Sequence, residues 1–143
     1  MSDKLAELMP TVLSALDQIT DGRCVSARTW EVTLESRHTV RIHEDSVSVN
    51  FVMSLGKKTQ RSRYKIVALL DQYQWLSAST NGLHIISTGC LNDVCAVIEF
   101  ASTDVNVYSL LGILTRLLEM ADYWKFYGCN RKAVGKSRDA VLL

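Results

Sequence analysis

The sequence predicts a single α+β domain in which helices pack on one face of an antiparallel sheet. Apolar residues recur at three- and four-residue steps in three segments, which is typical of amphipathic helices. They alternate with polar residues in five shorter segments, which is typical of strands with one buried face. The breaks between successive strands are short, which favours antiparallel pairing. The predicted element order is α-β-β-β-α-β-β-α, and the partial segregation of strands and helices favours the α+β class.

The first predicted helix covers residues 3–20. Its apolar positions follow helical spacing: Leu5, Leu8, Met9, Val12, Leu16 and Ile19. Pro10 either kinks this helix or stands in its first turn. Gly22 follows the last periodic residue and is a suitable stop at the carboxyl end.

The five strands are predicted from period-two alternation. They are centred on residues 30–34, 40–42, 47–55, 83–90 and 94–101. A second helix is expected over 62–76, after a basic connector at 56–63, with an Asn81-Gly82 turn beyond it. Glu35, Glu44 and Asp45 are interpreted as turn and outer-face charges.

The third helix, over residues 104–127, carries the most apolar surface. Its apolar stripe is wider than the roughly 100° that a one-sided surface helix needs. We therefore expect it to pack against its own sheet and also against a second copy of the chain, because uncovered apolar patches usually mark interfaces. The predicted dimer contacts are Leu110, Ile113, Leu117, Met120 and Trp124.

The chain length fits one domain. Its 143 residues predict a single α+β domain over 1–128, followed by a basic, flexible tail over 129–143. Sixteen Lys and Arg against fifteen Asp and Glu give a net charge of +1, which argues against a dedicated nucleic-acid binder. The first eight residues do not read as a signal peptide, and no run reaches the roughly 18 apolar residues of a membrane span. We expect a cytoplasmic protein with reduced thiols.

Four cysteines raise the question of a metal or redox site. Cys90 and Cys95 lie close in sequence, with His84 six residues before Cys90. A structural zinc site usually needs a second ligand pair, and Cys24 and Cys129 are single and distant. A hairpin disulfide or packing as small apolar side chains is the alternative. We expect no metal and no cofactor.

Histidine chemistry is not favoured by the spacing. His38 and His43 bracket one strand, and their five-residue separation places them on opposite faces. No phosphate loop, nucleophile elbow or paired-carboxylate pattern is present, so no catalytic residue is predicted.

A basic cluster with an aromatic residue at its centre precedes and opens the second helix. Its members are Lys57, Lys58, Arg61, Arg63 and Lys65, with Tyr64 among them. Positive charge at a helix amino terminus opposes the helix dipole, which favours an interaction role. An acidic protein partner, nucleic acid and a plain solvated surface are the three interpretations.

The element order resembles that of bacterial type III secretion chaperones and of YbjN-like proteins. The likeness covers most of residues 3–127, and it includes the closing run from Asp104 to Trp124. The resemblance implies a small homodimer without catalytic activity. In the secretion chaperones, apolar patches and exposed sheet edges hold an unfolded effector segment, which is strand addition combined with side-chain pockets. Those chaperones are usually acidic, whereas this chain is near neutral.

The leading hypothesis is a dimeric, non-enzymatic protein that holds a polypeptide partner through apolar patches and a sheet edge. The alternative is an immunity protein that binds and neutralises one folded toxin enzyme. A third is a small enzyme that uses Cys90 or Cys95 with a histidine, and a strongly lowered thiol pKa would mark it.

Overall fold

The computed structural model describes residues 4–60, 62–73, 82–88 and 93–129. Within these ranges it contains three α-helices, six strands and one short 3₁₀ turn. In chain order they are α1 (Lys4–Ala15), β1 (Ile19–Ser26), β2 (Thr29–Leu34), β3 (His38–Glu44), β4 (Ser48–Lys57), α2 (Ser62–Gln72), β5 (Gly82–Thr88), β6 (Asp93–Ala101), the 3₁₀ turn (Ser102–Asp104) and α3 (Val107–Cys129).

The strands form one six-stranded sheet in the order β1-β2-β3-β4-β6-β5, and every neighbouring pair is antiparallel. Strands β1 to β4 form a continuous meander, because only short turns separate them. The chain then leaves through α2, adds β5 at the far edge and returns with β6 between β4 and β5. The predicted α+β class with an antiparallel sheet is confirmed.

Strand β1 lies where the sequence predicted the end of the first helix. Helix α1 ends at Ala15, and residues 19–26 pair with β2. Gly22 is not a helix stop; it is the point where β1 passes beneath α1. A Cβ atom built on Gly22 would lie 2.3 Å from Leu13 Cδ2, so α1 approaches the strand as closely as it does because this residue has no side chain.

The core lies between the sheet and the helices. Register places Ile42, Phe51 and Ile98 side by side on three neighbouring strands, and all three are buried. Burial of each such side chain stabilises the fold by about 1.5–3 kcal/mol. Helix α3 contacts β3 and β4 below it and both α1 and α2 beside it. This central position determines how much of its surface its own protomer covers.

Glu44 is buried, although the sequence analysis placed it in a solvated turn. Its side chain lies at the end of β3, and its Oε1 accepts the backbone N–H of Leu5 at 3.2 Å. The first N–H groups of a helix have no partner within the helix, and here a carboxylate 39 residues away supplies one. Lys4 Nζ donates to the carbonyl of Ser102 at 3.0 Å. These two bonds hold the start of α1 against the sheet.

Candidate functional site

The apolar stripe of α3 is covered by its own protomer. Leu110, Ile113, Leu117, Met120 and Trp124 are each no more than 4% exposed. At these five positions the expectation of uncovered apolar surface is therefore not met, because the sheet, α1 and α2 contact α3. The dimer contacts assigned to these five residues stay a prediction, and no exposed side chain among them supports it.

Three exposed apolar side chains lie together on α2. Tyr64, Val67 and Leu70 are 58%, 62% and 37% exposed, and helical spacing places them together on the face away from the core. Leu69 and Tyr73 on the opposite side are buried, and Tyr73 packs edge-to-face on Tyr123 of α3. Three large apolar side chains in one solvent-facing stripe are typical of an interface.

The sequence analysis predicted this helix but did not identify the exposed stripe. The sequence did contain a signal. Tyr64 and Val67 lie away from the buried Leu69 and Tyr73 at helical spacing, so the helix is apolar on two sides rather than one.

The described members of the basic cluster differ in their contacts. Lys57 Nζ pairs with Asp93 Oδ1 at 3.0 Å, and Lys65 Nζ lies 4.9 Å from the centre of the Trp124 ring in a cation–π contact. Arg61 lies outside the described residues. Lys58 and Arg63 are exposed, and within the described ranges neither forms an ion pair.

A cleft of about 560 Å³ opens between the β4–α2 connector and α2. Its lining includes the apolar Ile66, Val67 and Val94, together with the basic Lys58 and Arg63. Among the described residues, no carboxylate contributes to the lining, which also includes the polar Thr59, Gln60 and Ser62. The cleft therefore has an apolar part and a cationic border, and it is continuous with the exposed face of α2 through Val67.

The sheet ends at β1 on one side and at β5 on the other. Two register irregularities interrupt the pairing of β1 with β2, and β1 carries the charged Asp21 and Arg23. Irregularities and charges are features that protect an edge strand from pairing with another chain. Strand β5 pairs with β6 in unbroken register and contains no Asp, Glu, Lys or Arg. It therefore lacks those protective features along its seven residues.

The two described thiols lie in different environments. Cys95 is free and buried, and burial together with the charge of Asp93 raises the pKa of its thiol. A raised pKa disfavours the thiolate, which is the reactive species. Cys24 is free and exposed on β1, and its Sγ lies 3.1 Å from the carbonyl oxygen of Ser26. Cys90 and the side chain of Cys129 lie outside the described part of the chain.

Among the described residues, no hydrogen bond joins a histidine to Cys24 or Cys95. His43 Nδ1 lies 2.7 Å from the hydroxyl of Thr29, and burial lowers the pKa of His38, with the positive charge of Arg37 acting in the same direction. His84 is exposed on β5. Among the described side chains, no group of three or more His, Cys, Asp or Glu residues is placed to hold a metal ion.

The outer face of β1, β2 and β3 carries a row of ion pairs. Glu31 accepts hydrogen bonds from Arg41 and Arg23, which lie directly across the two neighbouring strands. The hydrogen bond from Arg41, followed by that from Arg23, lowers the pKa of the Glu31 carboxyl. This polar face is typical of a sheet with one solvated side.

Among the described helices, none combines the length and hydropathy that a membrane span requires. No protein-family model matches the sequence, and no curated protein matches it. The fold does have a solved counterpart. It matches a chain from the structure of the HopA1–SchA chaperone–effector complex with a TM-score of 0.64 and 12% sequence identity, over 83% of this chain and 91% of that one. At this identity the likeness shows a common fold, so the chain has the architecture of a protein found in a chaperone–effector assembly.

Proposed function

We propose that this chain is a non-enzymatic, homodimeric binding protein that holds a segment of a polypeptide partner. The observation that carries the proposal is the fold shared with a chain of the HopA1–SchA chaperone–effector complex. It agrees with the resemblance to type III secretion chaperones in the order of helices and strands. The raised thiol pKa of Cys95 supports a role without covalent catalysis.

Strand β5 is the proposed docking edge for the partner. An extended segment that pairs with a sheet edge gains main-chain hydrogen bonds, and its alternate side chains contact the faces of the sheet. Ile86 is 46% exposed on β5 and supplies an apolar contact beside this edge. The protective irregularities and charges of β1 make that strand the less favourable of the two edges.

Lys58 is proposed as a secondary contact for acidic residues of the partner. It is exposed at the border of the cleft, and no described carboxylate lines that cleft. A charge at the border of an interface changes the association rate and its salt dependence more than the affinity. Lys57 and Lys65 already contact Asp93 and Trp124, so they contribute less to this role.

The test is binding of the purified chain to tiled peptides from the proteins encoded beside its gene. We expect one segment to bind, and we expect Ile86→Lys to weaken that binding by about tenfold because the apolar contact is lost and a charge enters the edge. The matched control is Val25→Lys, on the opposite edge, where Val25 is 40% exposed.

Two results would contradict the proposal. One is the absence of binding to any unfolded segment together with tight binding to a folded enzyme, which would favour the immunity-protein alternative. The other is equal loss of binding in the two variants, which would remove β5 as the docking edge.

A further inference from the structure

Strand β6 carries a half-buried carboxylate next to the proposed docking edge. Glu99 lies on the face of the sheet away from the helices, because its neighbour Ile98 is buried in the core and successive side chains alternate between the faces. Its cross-strand neighbours are Asn50 on β4 and Gly82 on β5. Within the described part of the chain Glu99 forms no ion pair. A charge that is partly withdrawn from water is stabilised by a partner of opposite charge.

Gly82 leaves this carboxylate open toward the edge of the sheet. Strand β5 is the last strand, and at the level of Glu99 it contributes a residue without a side chain. Neighbouring strands lie about 4.8 Å apart, so a strand added to β5 lies roughly 10 Å from β6. A Lys or Arg side chain on the added strand has the length to reach Glu99 across the glycine, with its apolar stem along the sheet.

The next two levels on the same face carry side chains. His84 and Ile86 follow Gly82 at two-residue steps, and both are exposed. His84 lies diagonally beside Glu99, and within the described ranges no ion pair joins them. The edge therefore presents an apolar residue, a histidine and an accessible carboxylate at three successive levels of one face.

These levels define the order of residues in a bound segment. A strand that continues the antiparallel pattern of the sheet runs from the level of Ile86 toward the level of Gly82. Its residue level with Ile86 contacts an apolar side chain. The residue four positions later lies on the same face, level with Gly82 and within reach of Glu99.

We infer that Glu99, reached over Gly82, selects a partner segment that carries Lys or Arg four positions after an apolar residue. The inference rests on the proposed function, because the segment must pair with β5, and it names the side chains that the segment needs. Strand β5 contains no Asp, Glu, Lys or Arg of its own, so Glu99 supplies the negative charge at this edge. Main-chain hydrogen bonds give the affinity, and the charge pair discriminates between segments.

Selection from a displayed library of short random segments tests this preference without knowledge of the natural partner. With the purified full chain as bait, we expect enrichment of Lys or Arg four residues after an apolar residue. Glu99→Gln should remove that enrichment, and Glu99→Arg should replace it with Asp or Glu. Glu7→Gln is the matched control, because it removes one exposed carboxylate from α1, which contacts β1 at the opposite edge.

Gly82→Val separates access from charge. A β-branched residue suits a strand, and its side chain stands between Glu99 and the added strand, so the basic preference should be lost although Glu99 is present. For one selected segment, replacement of its basic residue by Gln is expected to weaken binding to the wild type by about fivefold. The same replacement should leave binding to Glu99→Gln unchanged, because the charge pair is already absent.

The outcomes distinguish this inference from the proposed function. Segments that bind without a basic preference, or with one that survives in Glu99→Gln, would overturn the role of Glu99 and leave β5 as the docking edge. Selection of a basic residue four positions before the apolar one would overturn the antiparallel order. Failure to select any segment would contradict the proposed function and this inference with it.

Discussion

Gly56 lies beside the indole of Trp124. A Cβ atom built on Gly56 would lie 3.4 Å from Trp124 Nε1, and the φ angle of Gly56 is +147°, where side chains other than hydrogen are strained. Gly56 lies at the register irregularity that bends β4 opposite β6. On its other side the indole ring contacts Lys65 Nζ. The irregularity in β4 therefore lies against the carboxyl half of α3, and Trp124 connects both to the start of α2.

Replacement of Gly56 by alanine is expected to destabilise the fold by about 1–3 kcal/mol, because a residue with a side chain is strained at this positive φ. The midpoint of urea unfolding measures the effect. Gly112→Ala in α3 is the matched control: no heavy atom lies within 4 Å of a Cβ at that position. It is expected to stabilise the protein by about 1 kcal/mol through helix propensity. Equal effects of the two substitutions would contradict this description of β4.

The turn between β2 and β3 contains two residues with left-handed backbone. Glu35 has a φ of 51° and Ser36 a φ of 58°, which matches a hairpin turn that prefers glycine at its second position. Ser36→Gly is therefore expected to stabilise the fold by about 0.5–1 kcal/mol. Ser46→Gly, in the next turn, is expected to lower stability because Ser46 has no positive φ. Thermal unfolding distinguishes the two, and a loss of stability in Ser36→Gly would show that the turn is not strained.

His38 makes stability depend on pH. Burial, followed by the charge of Arg37, lowers its pKa below the ordinary 6.5, while Asp122 and Glu35 act in the opposite direction. In the window between the lowered value and 6.5 the unfolded chain binds more protons, so the free energy of unfolding falls as the pH falls through that window. His38→Gln is expected to flatten this part of the curve. An identical slope in wild type and variant would contradict the assignment.

The two described cysteines are expected to differ in reactivity. In variants that retain a single cysteine, Cys24 should react with a disulfide reagent at least about tenfold faster than Cys95, since Cys24 is exposed while burial raises the pKa of the Cys95 thiol. Rapid reaction of Cys95 at neutral pH would reopen the enzyme hypothesis.

Most of the fold follows from residue periodicity. In the strands that contain Ile42 and Phe51, apolar residues alternate with polar ones, so these strands and their buried face are predictable from the sequence. Strand β1 was not predicted, because Leu16 and Ile19 also continue the helical spacing of α1. Its assignment depends on antiparallel pairing with β2, which the spacing of its own apolar residues does not reveal.

The candidate site was harder to predict for the same reason. The sequence of α3 shows how much apolar surface the helix has. It does not show how many neighbouring elements cover that surface. The sheet, α1 and α2 bury this stripe. Helix α2 itself lies at the side of α3 and leaves Val67 in solvent. Burial of Glu44 likewise depends on the start of α1, 39 residues earlier in the chain.

Multi-angle light scattering of the wild-type chain at micromolar concentration tests the central claim most directly. A homodimeric binding protein predicts a mass of twice the 16.0 kDa of one chain. A wild-type mass of 16.0 kDa would contradict the account.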